Sequence, residues 1–159
     1  MVKSEIKTTI NVLVTAEMAL KQVIALNPPQ AKLRYHLARL GGFVADITKF
    51  ATKDRDRLFI QYSTVRDTLP QEVERLGPKT REIPDGTPEH VAYMAAIQDL
   101  QEQEVTIPWG PVRSSDLPGP DTPCDACAKA KPHVTLAQII ALGPLCELVD
   151  PEEGAADGG

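Results

Sequence analysis

Leu33, Leu37, Leu40, Val44 and Ile47 recur at alternating steps of four and three, the spacing that lines one stripe of an α-helix. Leu58, Tyr62, Val65 and Leu69 carry the same kind of spacing further, so the pattern predicts one helix over residues 30–69. Pro28 and Pro29 stand at its entrance and Pro70 just beyond its end, where proline's fixed φ and missing N–H do least harm. Such a helix is about 60 Å long at roughly 1.5 Å per residue. Gly41 and Gly42 interrupt the stripe, at a cost of about 0.5–1 kcal/mol each relative to alanine. Nothing turn-forming flanks them, which favours an unbroken helix with a close neighbour or a gentle bend over a break into two antiparallel helices.

The flanking segments supply shorter elements. Residues 8–15 are rich in β-branched types, with Ile10, Val12 and Val14 alternating, and predict a short strand. Thr15 then caps a helix whose apolar face is Ala16, Ala19, Leu20, Val23 and Ile24. Asn27-Pro28-Pro29 ends that helix so abruptly that it and the long one are expected to form a helical hairpin. Val73 and Leu76 give a further turn or two before Gly77-Pro78, and residues 79–86, charged and ending in Pro84-Asp85-Gly86, read as an exposed loop. Thr87-Pro88-Glu89 opens another helix, with Val91, Met94, Ala95 and either Ile97 or Gln98 as its buried side and an end near Glu102. Val105 and Ile107 form a strand able to pair with the N-terminal one, because a lone strand is not stable. Thr135 and Gln138 have capping-box spacing ahead of Ile139, Ile140 and Leu142. The expected fold is α+β and mainly helical: a long central helix packed in a helical hairpin, with a small sheet of two or three strands.

Composition narrows this further. Only 4% of the chain is aromatic against 42% apolar, so the core must come from Leu, Ile, Val and Ala, which suits helix-on-helix packing. Residues 1–149 are expected to form a single domain and the acidic, glycine-rich residues 150–159 a disordered tail. A net charge of −5 argues against a general nucleic-acid binder. The basic residues Lys49, Lys53, Arg55 and Arg57 alternate with Asp46, Asp54 and Asp56, which predicts the pairs Asp46–Lys49, Lys53–Asp56 and Asp54–Arg57 along a solvated face. No stretch approaches the roughly 20 apolar residues of a membrane span, and the N-terminus has no secretory pattern, so an intracellular setting is the default expectation.

Candidate chemistry is sparse. Cys124-Asp-Ala-Cys127, His133 and Cys146 together number the four donors that a tetrahedral zinc site requires. The competing readings are free thiols, with Cys146 as a small buried residue among Leu145, Leu148 and Val149, or a redox pair. The single tryptophan, Trp109, lies in a Pro/Gly-rich segment and reads as a lid over a small core or as a ligand-stacking platform; Arg113 beside it makes the pair a candidate interaction site. His36 and His90 have no neighbouring nucleophile or acid in a catalytic arrangement, and no phosphate-cradling glycine loop, Gly-x-Ser-x-Gly or His-Glu-x-x-His is present. No enzymatic activity is expected.

The order of short strand, helical hairpin with Leu33-Arg-Tyr-His-Leu-Ala-Arg-Leu40, helix into Gln103-Glu-Val-Thr-Ile-Pro108, Asp116-Leu117-Pro118 and final Leu-rich turn resembles small phage-encoded proteins of unknown function. The resemblance covers roughly residues 8–150 and departs from the pattern at residues 120–132, where the cysteine loop looks like an insertion. It implies a viral protein that acts by protein–protein binding, as an assembly component or a host-interaction factor, in the host cytoplasm or the virion. A long helix with an uncovered apolar stripe adds the expectation of a homo-oligomer. The alternatives are a small-ligand binding or sequestering protein with a pocket between subunits, and a zinc-stabilised adaptor.

Overall fold

The computed structural model describes residues 5–119 and 133–149. Its elements in chain order are β1 (Ile6–Thr9), α1 (Ile10–Ala25), α2 (Ala31–Tyr62), β2 (Thr64–Asp67), α3 (Val73–Leu76), β3 (Lys79–Glu82), α4 (Pro88–Glu102), β4 (Glu104–Ile107), β5 (Val112–Arg113), α5 (Leu136–Leu142) and β6 (Cys146–Glu147). The fold is α+β and mainly helical, with a long central helix, α2. Among the described residues the strands form two-stranded sheets: β1 with β4 and β2 with β3, both antiparallel, and β5 with β6, parallel. The chain divides into two compact units, Met1–Thr48 with Glu104–Gly159, and Lys49–Gln103.

In the first unit the strand expected over residues 8–15 is displaced. It occupies Ile6–Thr9, and the helix begins at Ile10. The reason is burial: Ile10, Leu13, Ala16, Leu20 and Val23 are buried at helical spacing, whereas Val12 and Val14 remain 36% and 42% exposed. A stripe of that length outweighs the weak β preference of the branched side chains. Thr15 is therefore not a cap; inside the helix its hydroxyl donates to the Asn11 carbonyl at 2.9 Å. The pairing of the N-terminal strand with Val105 and Ile107 holds, with Thr8 opposite Val105 and the buried Ile6 opposite the buried Ile107.

Residues 26–30 join α1 to α2, with Asn27 in the left-handed region (φ 49°) and the Arg34 guanidinium donating to the carbonyls of Pro28 and Pro29, each at 3.0 Å. Leu33, Leu37, Leu40 and Val44 are buried as their spacing requires, and they share one core with Leu13, Leu20 and Val23 of α1. The glycine pair lies within a continuous helix, and its two members differ. A Cβ on Gly41 would lie 2.6 Å from Ile24 Cδ1, so Gly41 admits the end of α1, while a Cβ on Gly42 would meet nothing within 4 Å. Gly42→Ala is thus expected to raise stability by about 0.5–1 kcal/mol in urea denaturation, because it removes unfolded-state freedom without a clash. Gly41→Leu, which drives bulk into Ile24, is expected to lower it by about 1–3 kcal/mol.

α5 closes the same core. Its Thr135 and Gln138 make the expected capping box, and the Gln138 side-chain amide donates to Gln22 Oε1 at 3.0 Å. The small Ala16 and Ala19 on α1 are buried, and Leu142 and Leu145 are fully enclosed.

In the second unit the long helix stops at Tyr62, not at residue 69. Val65 enters β2 and is 56% exposed, and Leu69 lies beyond that strand at 48% exposure. Residues 79–82, expected as part of a loop, form β3 instead. Its charges explain the pairing: Asp67 faces Lys79 in register and forms an ion pair with it, and Arg66 pairs with Glu82. On α2, Asp54–Arg57 forms at 2.6 Å, whereas Asp46–Lys49 and Lys53–Asp56 are not among the ion pairs of the described residues.

Helix α4 starts as read, with the Thr87 hydroxyl accepting from the His90 N–H at 3.2 Å, and ends at Glu102. Its inner side is not the one expected. Leu100 is buried, Ala92, Ala96 and Ile97 are half-buried, and Tyr93 sets its ring edge-on to Phe59 and Tyr62 at 6.2 and 6.3 Å. Val91 and Met94 instead face outward, 66% and 52% exposed.

Candidate functional site

Trp109 and Arg113 belong to the segment that leaves β4 and enters β5. Two side chains of α2 fix its position. His36 Nε2 donates to the Gly110 carbonyl at 2.8 Å, which also assigns the proton to that ring nitrogen. One turn on, the Arg39 guanidinium stands 4.2 Å from the Trp109 ring centre and 5.4 Å from that of Tyr35, so its charge lies over two aromatic rings. Trp109 in turn meets Phe43 edge-on at 5.9 Å and rests half-buried against the core. It therefore serves as the cover over the core that the sequence suggests, and it also supports Arg39.

Beside this support opens a groove of about 680 Å³, lined by Leu33, Tyr35 and His36, the cations Lys32, Arg39 and Arg113, and Asp116 among others. The volume falls within the range of about 300–1,000 Å³ that small-molecule sites occupy. Arg113 thus lines the groove directly, whereas Trp109 reaches it through Arg39. Lys32, Arg39 and Arg113 take part in none of the ion pairs among the described residues, although the chain as a whole carries −5. In the sequence His36 reads as an isolated helical histidine and nothing adjacent singles out Arg39. Their three-residue spacing, which puts both on one side of α2 with Tyr35 and Lys32 adjoining, is the signal that was there to find.

Of the four suggested zinc donors, His133 and Cys146 lie among the described residues. Cys124 and Cys127 lie outside the described residues, and no three His, Cys, Asp or Glu side chains converge among those that are described. Cys146 is a buried free thiol in β6. Burial, and secondarily the Glu147 carboxylate, pushes its pKa up to about 11, which keeps the free thiol protonated at neutral pH. Because the folded protein holds the proton more tightly than the unfolded chain does, this group's contribution to stability is complete below the ordinary thiol range and is lost as pH rises toward 11. Between about pH 8.5 and 11 the wild type is expected to lose more stability than Cys146→Ala, as followed by urea midpoints across that range.

No family model, no curated protein and no solved structure matches the chain. Among the described residues no helix is long and apolar enough to cross a membrane.

Proposed function

We propose that this protein acts by binding another protein, without catalysis, and that its nearest partner is a second copy of itself. The observation that carries this reading is the balance of the second unit. Of its apolar side chains only Ala51 and Leu100 are buried, while Phe50, Ile60, Val65, Leu69, Val73, Leu76, Val91 and Met94 are exposed. Burying such a side chain is worth about 1.5–3 kcal/mol, so a unit that leaves so many in water gains by covering them.

Helix α4 supplies the most regular part of that surface. Val91, Met94 and Ala95 form a stripe on one side of it, while Leu100 is buried and Tyr93 meets Phe59 and Tyr62 within the unit. A symmetric pair of copies satisfies both stripes at once, since the same patch can serve on each side of a two-fold axis. With the resemblance to small phage proteins, such an oligomer reads as an assembly component or as a factor engaging a host protein, working in the host cytoplasm or the virion.

Sedimentation velocity across a concentration series tests the proposal. Species heavier than the 17.3 kDa chain, growing with concentration, are expected. A monomer at every concentration overturns self-association.

A further inference from the structure

Independently of self-association, we propose that the groove beside Trp109 binds a nucleoside phosphate, with its phosphates on Arg39, Arg113 and Lys32 and its ring on Tyr35. Three cations line one groove and none has a carboxylate ion-pair partner among the described residues. Lone surface cations are ordinary, but Arg39 is not free to wander. Its guanidinium is held over the Trp109 and Tyr35 rings, so part of its conformational entropy is spent before a ligand arrives. A guanidinium held by its face keeps its N–H edge available, and that edge is the part that matches a phosphate. The His36 bond to Gly110 ties the segment that carries Arg113 to α2.

Two further groups narrow the class of anion. Tyr35 is 66% exposed at the groove, offering an aromatic surface on which a planar ring can stack. Asp116 also lines the groove and is a poor neighbour for a bare phosphate, which it repels; it is a good one for a ligand that brings hydroxyl donors of its own. Cations for the phosphate, an acceptor for sugar hydroxyls and an aromatic surface for the base together describe a nucleoside phosphate better than they describe an inorganic anion.

Trp109, the only tryptophan, touches the cation that would meet the phosphate and so reports on binding by its fluorescence. The test is titration of the full chain with ATP in the absence of metal, followed by that fluorescence and by calorimetry. Inorganic pyrophosphate, adenosine and a short single-stranded oligonucleotide serve as comparison probes. Saturable ATP binding is expected, with both pyrophosphate and adenosine weaker. Arg113→Glu is expected to weaken it at least roughly tenfold, the worth of a charge-assisted contact, and Tyr35→Ala at least roughly tenfold, since it removes both the stacking ring and one of the two rings that hold Arg39. Both are exposed positions, but Arg113 lies in register with Glu147 of β6, so far-UV circular dichroism and Arg113→Ala, which adds no opposing carboxylate, separate lost binding from lost fold; Arg57→Glu, which makes the same charge change in the second unit, leaves affinity unchanged. The proposal is overturned by no binding at millimolar ATP, or by equal weakening in Arg57→Glu and Arg113→Glu, which marks unspecific attraction. Pyrophosphate binding as tightly as ATP, or the oligonucleotide binding more tightly, overturns it as well.

Discussion

Leu37→Ala will cost the protein about 2–5 kcal/mol, a large part of the roughly 5–15 kcal/mol by which an ordinary domain is stable. Leu37 is 0% exposed and belongs to a core made almost wholly of aliphatic side chains, with Leu13 and Leu20 of α1, Leu40 of α2 and Leu142 and Leu145 near the C-terminal end of the described chain. Removing its isobutyl group loses transfer free energy and leaves a void that helices anchored at both ends cannot fully close. Urea denaturation will show this as a lower midpoint at an unchanged slope. Leu69→Ala is the informative companion, because the helical stripe read from the sequence places Leu69 in line with Leu37. In the fold Leu69 is 48% exposed beyond the end of α2, and its truncation is expected to cost less than about 0.5 kcal/mol. Equal costs at the two positions would mean that the helix does continue to residue 69.

That pair of leucines shows where sequence reading holds and where it fails. Leu33, Leu37, Leu40 and Val44 are both helically spaced and buried, because a full stripe leaves the chain no other way to cover them. Beyond Tyr62 the spacing persists without the burial. Val65 and Leu69 fit the helical register by coincidence, and what decides the local structure is a partner strand that lies apart in sequence. β3 was hard to see for the same reason. Lys79-Thr-Arg-Glu82 has little apolar content, and its strand character comes from charges complementary to Thr64-Val-Arg-Asp67. The start of α1 is the reverse case, since Ile10, Val12 and Val14 satisfy a two-residue period as well as the helical one uses Ile10 and Leu13. Only the position of α5 and the rest of the core chooses between them. The caps at Thr87 and Thr135 were legible because a cap is a bond between near neighbours.

The candidate site was legible in its loop half and hidden in its helical half. Trp109 and Arg113 draw attention as the single tryptophan and a nearby cation in a Pro/Gly-rich segment. Nothing near them in sequence reveals that His36 and Arg39, over sixty residues earlier, hold that segment in place. The cysteines behave differently. Cys146, in the sequence either a zinc donor or a small buried residue, is buried in β6, and its raised pKa follows from that burial, while the zinc reading turns on Cys124 and Cys127, which lie outside the described residues.

On the proposed self-association, Val91→Glu combined with Met94→Glu will convert the protein to monomer, weakening association by roughly a hundredfold or more. The estimate follows from two side chains worth about 1.5–3 kcal/mol each when fully buried, at about 1.4 kcal/mol per factor of ten. Glutamate is a good helix former and both positions face outward, so α4 itself should persist and the urea midpoint of the monomer should stay within about 0.5 kcal/mol of wild type. Two carboxylates introduced on each copy also add like-charge repulsion to the lost burial when the stripes meet, which is why glutamate is a more decisive choice than alanine. The comparison is Leu136→Glu with Ile140→Glu, which makes the same change at two equally exposed positions of α5, 69% and 67% open, in the first unit. If α4 carries the contact, sedimentation will show monomer for the α4 pair and unchanged association for the α5 pair. The opposite pattern would transfer the interface to α5 and leave the apolar surface of the second unit to be covered by a different protein.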